Sequence, residues 1–208
     1  MAAEAHKTAT HKAATHKAEA RATEARETGT RKSVKINRAP VLTLWAAVVA
    51  ERLGHSRETA LTLGKSVAGL NAQSKGRRLG IYEDDRQADE AKREQVEEKQ
   101  RPQTVDLLGR AVPVAETQDG LRALADGKPV SPESVERYLE GKFKGALPDA
   151  RAAFEVLAQS MPARELEKRA YDLYEQFRPE IPEGVRGWGA AGVLDLDAIR
   201  TRAAKEKT

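Results

Sequence analysis

The chain has 208 residues, no cysteine, 33% charged and 4% aromatic side chains, and a formal net charge of +4. That length allows one ordinary domain or two small ones with a tail. The composition supplies only a modest core, and the lack of cysteine excludes disulfides, thiolate nucleophiles and cysteine-based zinc sites. The charge is uneven: residues 1–38 carry +5, residues 39–81 carry +4 and residues 82–208 carry −5, a split that points to a polyanionic partner at one end.

The chain opens on a degenerate five-residue repeat, HKTAT from His6, HKAAT from His11, HKAEA from His16, RATEA from Arg21, RETGT from Arg26 and RKSVK from Arg31. Five residues advance a helix by about 500°, so the basic openings fall on rotating faces and no apolar stripe forms. With nothing to bury, residues 1–35 are expected to be a disordered basic tail. The spacing of His6, His11 and His16 fits neither one helical face nor a zinc cluster, so no metal is expected. In composition this Ala/Lys/Thr segment resembles the tails of histone H1-like nucleoid proteins.

Residues 36–81 read as a helical hairpin. Val41, Leu42, Leu44, Trp45, Val48, Val49 and Leu53 recur at helical spacing, Gly54 is placed as a stop and Ser56 as the next N-cap. The second helix runs from Arg57 toward Asn71, with Gly64 and Gly69 either breaking it early or allowing tight packing. Residues 82–103 are almost wholly polar and read as a charged linker ended near Pro102.

Residues 104–208 read as a multi-helix module. A short helix is expected over Gln118–Ala125, stopped by Gly127 and Pro129, and another from Ser131 and Pro132 to about Phe143. A third opens at Pro148 and buries Ala152, Phe154, Val156 and Leu157. A fourth follows Pro162 and buries Leu166, Ala170, Leu173, Tyr174 and Phe177, and Asp195–Ala204 supplies the last. No stretch alternates clearly enough for a sheet, so the expected fold class is all-α.

The segment from Ala46 to Lys65 resembles a helix-turn-helix, with Ala50 at the small position before the turn and Gly54 in it. His55 and Ala60 depart from that pattern. The resemblance implies that Arg57, Thr59, Thr62, Lys65 and Ser66 project from a recognition helix. Lys75, Arg77 and Arg78 follow the second helix, and Arg31, Lys32, Lys35 and Arg38 precede the first, so both ends of the hairpin are basic and suited to phosphate. Residues 187–192 spell G-x-G-x-x-G, but Pro182 and Gly184 precede them where a dinucleotide site needs a strand. Arg178, Arg186 and Trp188 are instead candidates for a small anion or partner pocket. No Ser/His/Asp set, phosphate-binding loop or metal-ligand cluster is present, so neither an enzyme nor a cofactor is expected.

The segments RAPVLTLWAAVVAERLG, LNAQSKGRRLGI and FRPEIPEGVRGWGAAGVLDLDAI are similar to stretches of an uncharacterised bacterial protein family, a resemblance that implies no activity. The resulting expectation is a nucleic-acid-binding protein, nucleoid-associated or regulatory, with DNA ahead of RNA. A homodimer or protein partner is expected through residues 104–208. The alternatives are a protein-interaction adaptor and, behind it, a small-ligand sensor or enzyme using the Trp188 loop. The longest apolar run, Leu44–Ala50, is too short to cross a bilayer, and the expected location is the cytoplasm, on the nucleoid.

Overall fold

The computed structural model describes residues 32–78, 103–183 and 190–206. Strand β1 (Ser33–Ile36) leads into helices α1 (Arg38–Arg52) and α2 (Arg57–Arg78). Strands β2 (Gln103–Leu107), β3 (Arg110–Thr117), β4 (Gly120–Ala125) and β5 (Lys128–Pro129) follow, then helices α3 (Pro132–Phe143), α4 (Leu147–Gln159) and α5 (Ala163–Phe177), with a short 3-10 turn at Lys144–Ala146. Strand β6 (Gly192–Asp195) and helix α6 (Leu196–Glu206) complete the order.

Helix α1 lies at the centre. Every residue from Pro40 to Ala50 is buried, which a helix reaches only when other elements surround it. Trp45 fixes its depth. The indole Nε1–H donates to the Ala170 carbonyl of α5 at 2.7 Å, and the ring meets Phe154 of α4 and Phe177 of α5 edge-on, with centroids 5.6 and 5.3 Å apart. One hydrophobic cluster therefore includes the hairpin, the sheet and the C-terminal helices.

The hairpin turn forms as its residues dictate. Gly54 adopts φ +103°, closed to most side chains, and His55 N–H returns to the Ala50 carbonyl at 3.1 Å. Ser56 then caps α2 by accepting from Thr59 N–H at 3.3 Å. Gly64 does not break α2, which continues to Arg78. A Cβ there would lie 2.4 Å from the Thr43 carbonyl oxygen and 2.9 Å from Ala47 N, so the glycine is what lets the two helices touch.

The all-α expectation is overturned by two antiparallel sheets. β1 pairs with β6, Ser33 opposite Asp195 and Ile36 opposite Gly192. β2, β3, β4 and β5 form a meander in that order. Gln118–Ala125, expected as a helix, contains the β3–β4 turn and the whole of β4. The physical reason lies in the turns. Asp126-Gly127 and Leu108-Gly109 each hold two consecutive residues at positive φ, the backbone of a tight hairpin whose twist matches the strands. Between turns, Val112 and Val114 alternate inward, with Val112 facing Val105 and Val114 facing Ala123.

β5 is only two residues long, so most of the outer edge of β4 has no strand beside it. Helix α2 satisfies that edge with hydroxyls. Thr62 Oγ1 accepts from Ala123 N–H at 3.1 Å while donating to the Thr59 carbonyl at 2.8 Å. Thr59 Oγ1 donates to the Leu121 carbonyl at 2.9 Å and Ser66 Oγ to that of Leu124 at 3.4 Å. An open edge is thereby removed by a helix rather than by another strand.

The later helices follow the sequence signals more closely. Ser131 caps α3 by accepting from Ser134 N–H at 3.2 Å, and Pro132 opens it. Leu166, Ala170, Leu173, Tyr174 and Phe177 all face the core from α5. Asp195 caps α6, accepting from Ala198 N–H at 2.9 Å. In α4, Ala152 and Val156 are exposed, the latter by 42%, because Ala150, Ala153, Phe154, Leu157 and Ala158 form the inner face instead. Gly192 serves a close approach: its Cβ would lie 2.1 Å from the Glu180 carbonyl oxygen.

Two substitutions test this packing by urea unfolding. Thr62→Val keeps the shape but strands the Ala123 N–H, and it should cost about 1–3 kcal/mol; wild-type stability would show that the edge is satisfied in another way. Gly64→Ala should cost about 1–3 kcal/mol through the clash with α1, although alanine is the better helix former by about 1 kcal/mol. A gain in stability would mean that the helices separate freely at this point.

Candidate nucleic-acid interface

The helix-turn-helix reading requires Thr59, Thr62 and Ser66 on an open face, and all three are buried against β4. Their hydroxyls are used in satisfying the sheet edge, so α2 offers no such row to a DNA groove. Arg57 is exposed, but its guanidinium pairs with Glu136 of α3 at 2.6 Å.

Lys65 is half-buried, with its ammonium 4.1 Å from the centre of the Tyr138 ring. Lys142 lies 6.0 Å from the same ring. Burial, and then the like charge of Lys142, lower the Lys65 pKa below the ordinary lysine value. The Lys65 ammonium thus rests on a partly exposed aromatic face.

The remaining basic residues are placed differently. Tyr171 and Tyr174 of α5 have ring centres 6.1 Å apart. The Tyr171 hydroxyl donates to Asn71 Oδ1 of α2 at 3.3 Å and the Tyr174 hydroxyl to the Arg38 carbonyl of α1 at 3.4 Å. Asn71 and the start of α1 therefore stand level, as the antiparallel approach of Gly64 to Thr43 and Ala47 also requires. Beyond Asn71 helix α2 continues seven residues to Arg78, about 10 Å at 1.5 Å per residue. Lys75, Arg77 and Arg78 on this extension are exposed. Lys35, also exposed, sits on β1 just before α1, at the same end.

Arg38 is partly committed, its Nε–H donating to the Pro179 carbonyl at 3.1 Å. Lys32 is exposed, and Arg31 lies outside the described residues. Of the expected anion pocket, Arg178 pairs with Glu175 at 2.7 Å, while Arg186 and Trp188 lie outside the described residues, as do most of the five-residue repeat and residues 82–101. Lys75, Arg77 and Arg78 thus share the extension of α2, Lys35 lies on the strand that leads into α1, and Arg57, Thr59, Thr62, Lys65 and Ser66 lie elsewhere on α2.

Sequence reading missed Arg110. Its guanidinium donates to Ser74 Oγ at 3.2 Å and Asn71 Oδ1 at 3.4 Å, tying the start of β3 to the basic extension. These partners are 36 and 39 positions away, and no local pattern announces them. Searches against family models, curated proteins and solved structures return no match to this chain. No helix among the described residues is long and apolar enough to cross a membrane.

A titration followed by NMR at the lysine side chains checks the placement of Lys65. Its amine should lose its proton below the pH at which exposed lysines do, and Lys142→Gln should move that midpoint upward. A depressed lysine also makes the folded state bind fewer protons than the unfolded one, so this group's contribution to stability rises with pH as the folded-state amine deprotonates. An unshifted Lys65 midpoint would place the amine in open solvent.

Proposed function

We propose that the protein binds nucleic acid through its phosphate backbone, using the basic end at which α1 begins and α2 finishes. The observation that carries this reading is that Lys75, Arg77 and Arg78 on the α2 extension, and Lys35 on the strand leading into α1, are exposed and in no ion pair among the described residues. The structural contrast is with Arg57, Arg151, Arg169, Arg178 and Arg200, each paired with an acid. Sites for a polyanion need cations that the fold has not already neutralised.

The binding is sequence-independent. Phosphate neutralisation by lysine and arginine supplies affinity and position, whereas base reading needs side chains aimed into a groove. With Thr59, Thr62 and Ser66 unavailable, a nucleoid-associated role suits the surface better than operator recognition. The repeat of residues 1–31 supplies six further Lys/Arg, which add to the same electrostatic attraction. DNA is the first polymer to test, and residence on the nucleoid would follow from such binding.

Fluorescence anisotropy on mixed-sequence duplex DNA at low and rising salt tests the proposal. The full chain should bind at micromolar concentration or below, with affinity falling linearly on a log–log plot against salt. Lys75→Ala/Arg77→Ala/Arg78→Ala should flatten that slope by about 0.9 for each phosphate no longer neutralised, up to ~2.7. Lack of binding at low salt would sink the reading, and an unchanged slope in the triple variant would remove the α2 extension from it.

A further inference from the structure

Beside the basic extension, the β2–β3 turn and α5 enclose an open cavity of about 260 Å³ lined by Leu108, Gly109, Arg110, Glu167, Lys168 and Tyr171. Its floor is an unusual turn. Leu108 holds φ +50°, a left-handed backbone that a branched side chain resists and that asparagine, aspartate or glycine would take more readily. Its side chain is only 4% exposed, so the core retains it in this conformation.

The walls carry unlike charges with separate uses. Arg110 has five N–H donors, and its bonds to Ser74 and Asn71 hold the guanidinium in place while leaving other donors for a ligand. Asn71 also accepts from Tyr171, so one amide oxygen fixes two of the lining side chains. Lys168 is exposed and makes no ion pair among the described residues. These cations suit a phosphate. Glu167, also exposed, would repel a bare anion but accepts hydrogen bonds from hydroxyl groups. A phosphorylated sugar satisfies both, its phosphate meeting the cations and a hydroxyl donating to the carboxylate. The volume lies below the roughly 300 Å³ at which drug-sized pockets begin, which favours a compact ligand over a whole nucleotide.

We propose that this cleft binds a phosphorylated sugar, its phosphate on Arg110 and Lys168 and its hydroxyls on Glu167. The sugar phosphate is either a free metabolite or one unit of an RNA strand, whose 2′-hydroxyl is the one left free to donate to Glu167. The inference does not depend on backbone binding by Lys35, Lys75, Arg77 and Arg78.

Calorimetry on the full chain with ribose 5-phosphate, inorganic phosphate and ribose tests it. Ribose 5-phosphate should bind saturably and about tenfold or more tighter than either fragment. Lys168→Ala should weaken it about tenfold, as loss of one charge-assisted hydrogen bond does. Glu167→Ala should tighten inorganic phosphate and erase the preference for the sugar. Both positions are exposed, so neither change endangers the fold. Absent binding, equal affinity for ribose 5-phosphate and phosphate, or indifference to Lys168→Ala would each overturn the proposal. Competition by a single-stranded oligoribonucleotide assigns the site to an RNA strand, and its failure assigns a free sugar phosphate. Duplex binding by Lys168→Ala with an unchanged salt slope separates this site from the basic end.

Discussion

The burial of α1 on every side is the constraint on which the rest of the structure depends. A helix whose residues from Pro40 to Ala50 are all withdrawn from water must be enclosed by several elements at once, and none of them can bury its own apolar face without it. Trp45 is the point of closest dependence. Its indole N–H would be an orphan donor in the core if Ala170 were not beside it, and its ring packs against Phe154 and Phe177, which also touch each other. Removing so large a buried ring costs on the order of 3–5 kcal/mol, a large share of the roughly 5–15 kcal/mol that stabilises an ordinary domain. The hairpin and the later helices are in this sense one folding problem.

The same enclosure explains why α2 carries hydroxyls where it does. α2 packs against α1 through Gly64 and against the sheet through Thr59, Thr62 and Ser66. A sheet of four strands ending in a two-residue strand leaves backbone groups that must find partners, and side-chain hydroxyls at i, i+3 and i+7 fall on one helical face at the right repeat. Polar residues on a helix face are ambiguous for this reason. They suit a nucleic-acid groove and a strand edge equally well, and only the neighbour decides which they meet.

Much of the helical architecture was legible in the sequence because caps and stops act locally. Gly54, Ser56, Ser131, Pro132 and the apolar series from Leu166 to Phe177 each do what their chemistry requires within a turn or two. The sheet was less legible. Its strands are short, β4 has the helix-compatible sequence Gly-Leu-Arg-Ala-Leu-Ala, and the signals that outweigh that propensity are turns, Asp119-Gly120 and Asp126-Gly127. Dipeptides of that kind at hairpin spacing carry more weight than alanine and leucine between them. The candidate site divides in the same way. The cations at the ends of the hairpin could be read, because they are sequence-local, but the role of Arg110 depends on pairings dozens of residues apart.

The unequal lengths of the two hairpin helices connect fold to function. α1 has 15 residues and α2 has 22, and the turn at Gly54 aligns them from one end, so the excess must appear at the other. A core-facing extension would need apolar residues, but this one ends Ser74-Lys75-Gly76-Arg77-Arg78. Cations in a last helical turn interact favourably with the helix dipole, by roughly 0.3–1 kcal/mol each, which accounts for one or two of them as a stabilising cap. Such a cap places no demand on β1, yet Lys35 and the start of α1 occupy the same end. Helix capping therefore explains the charge on α2 but not its concentration there, and the concentration is what a phosphate chain would use.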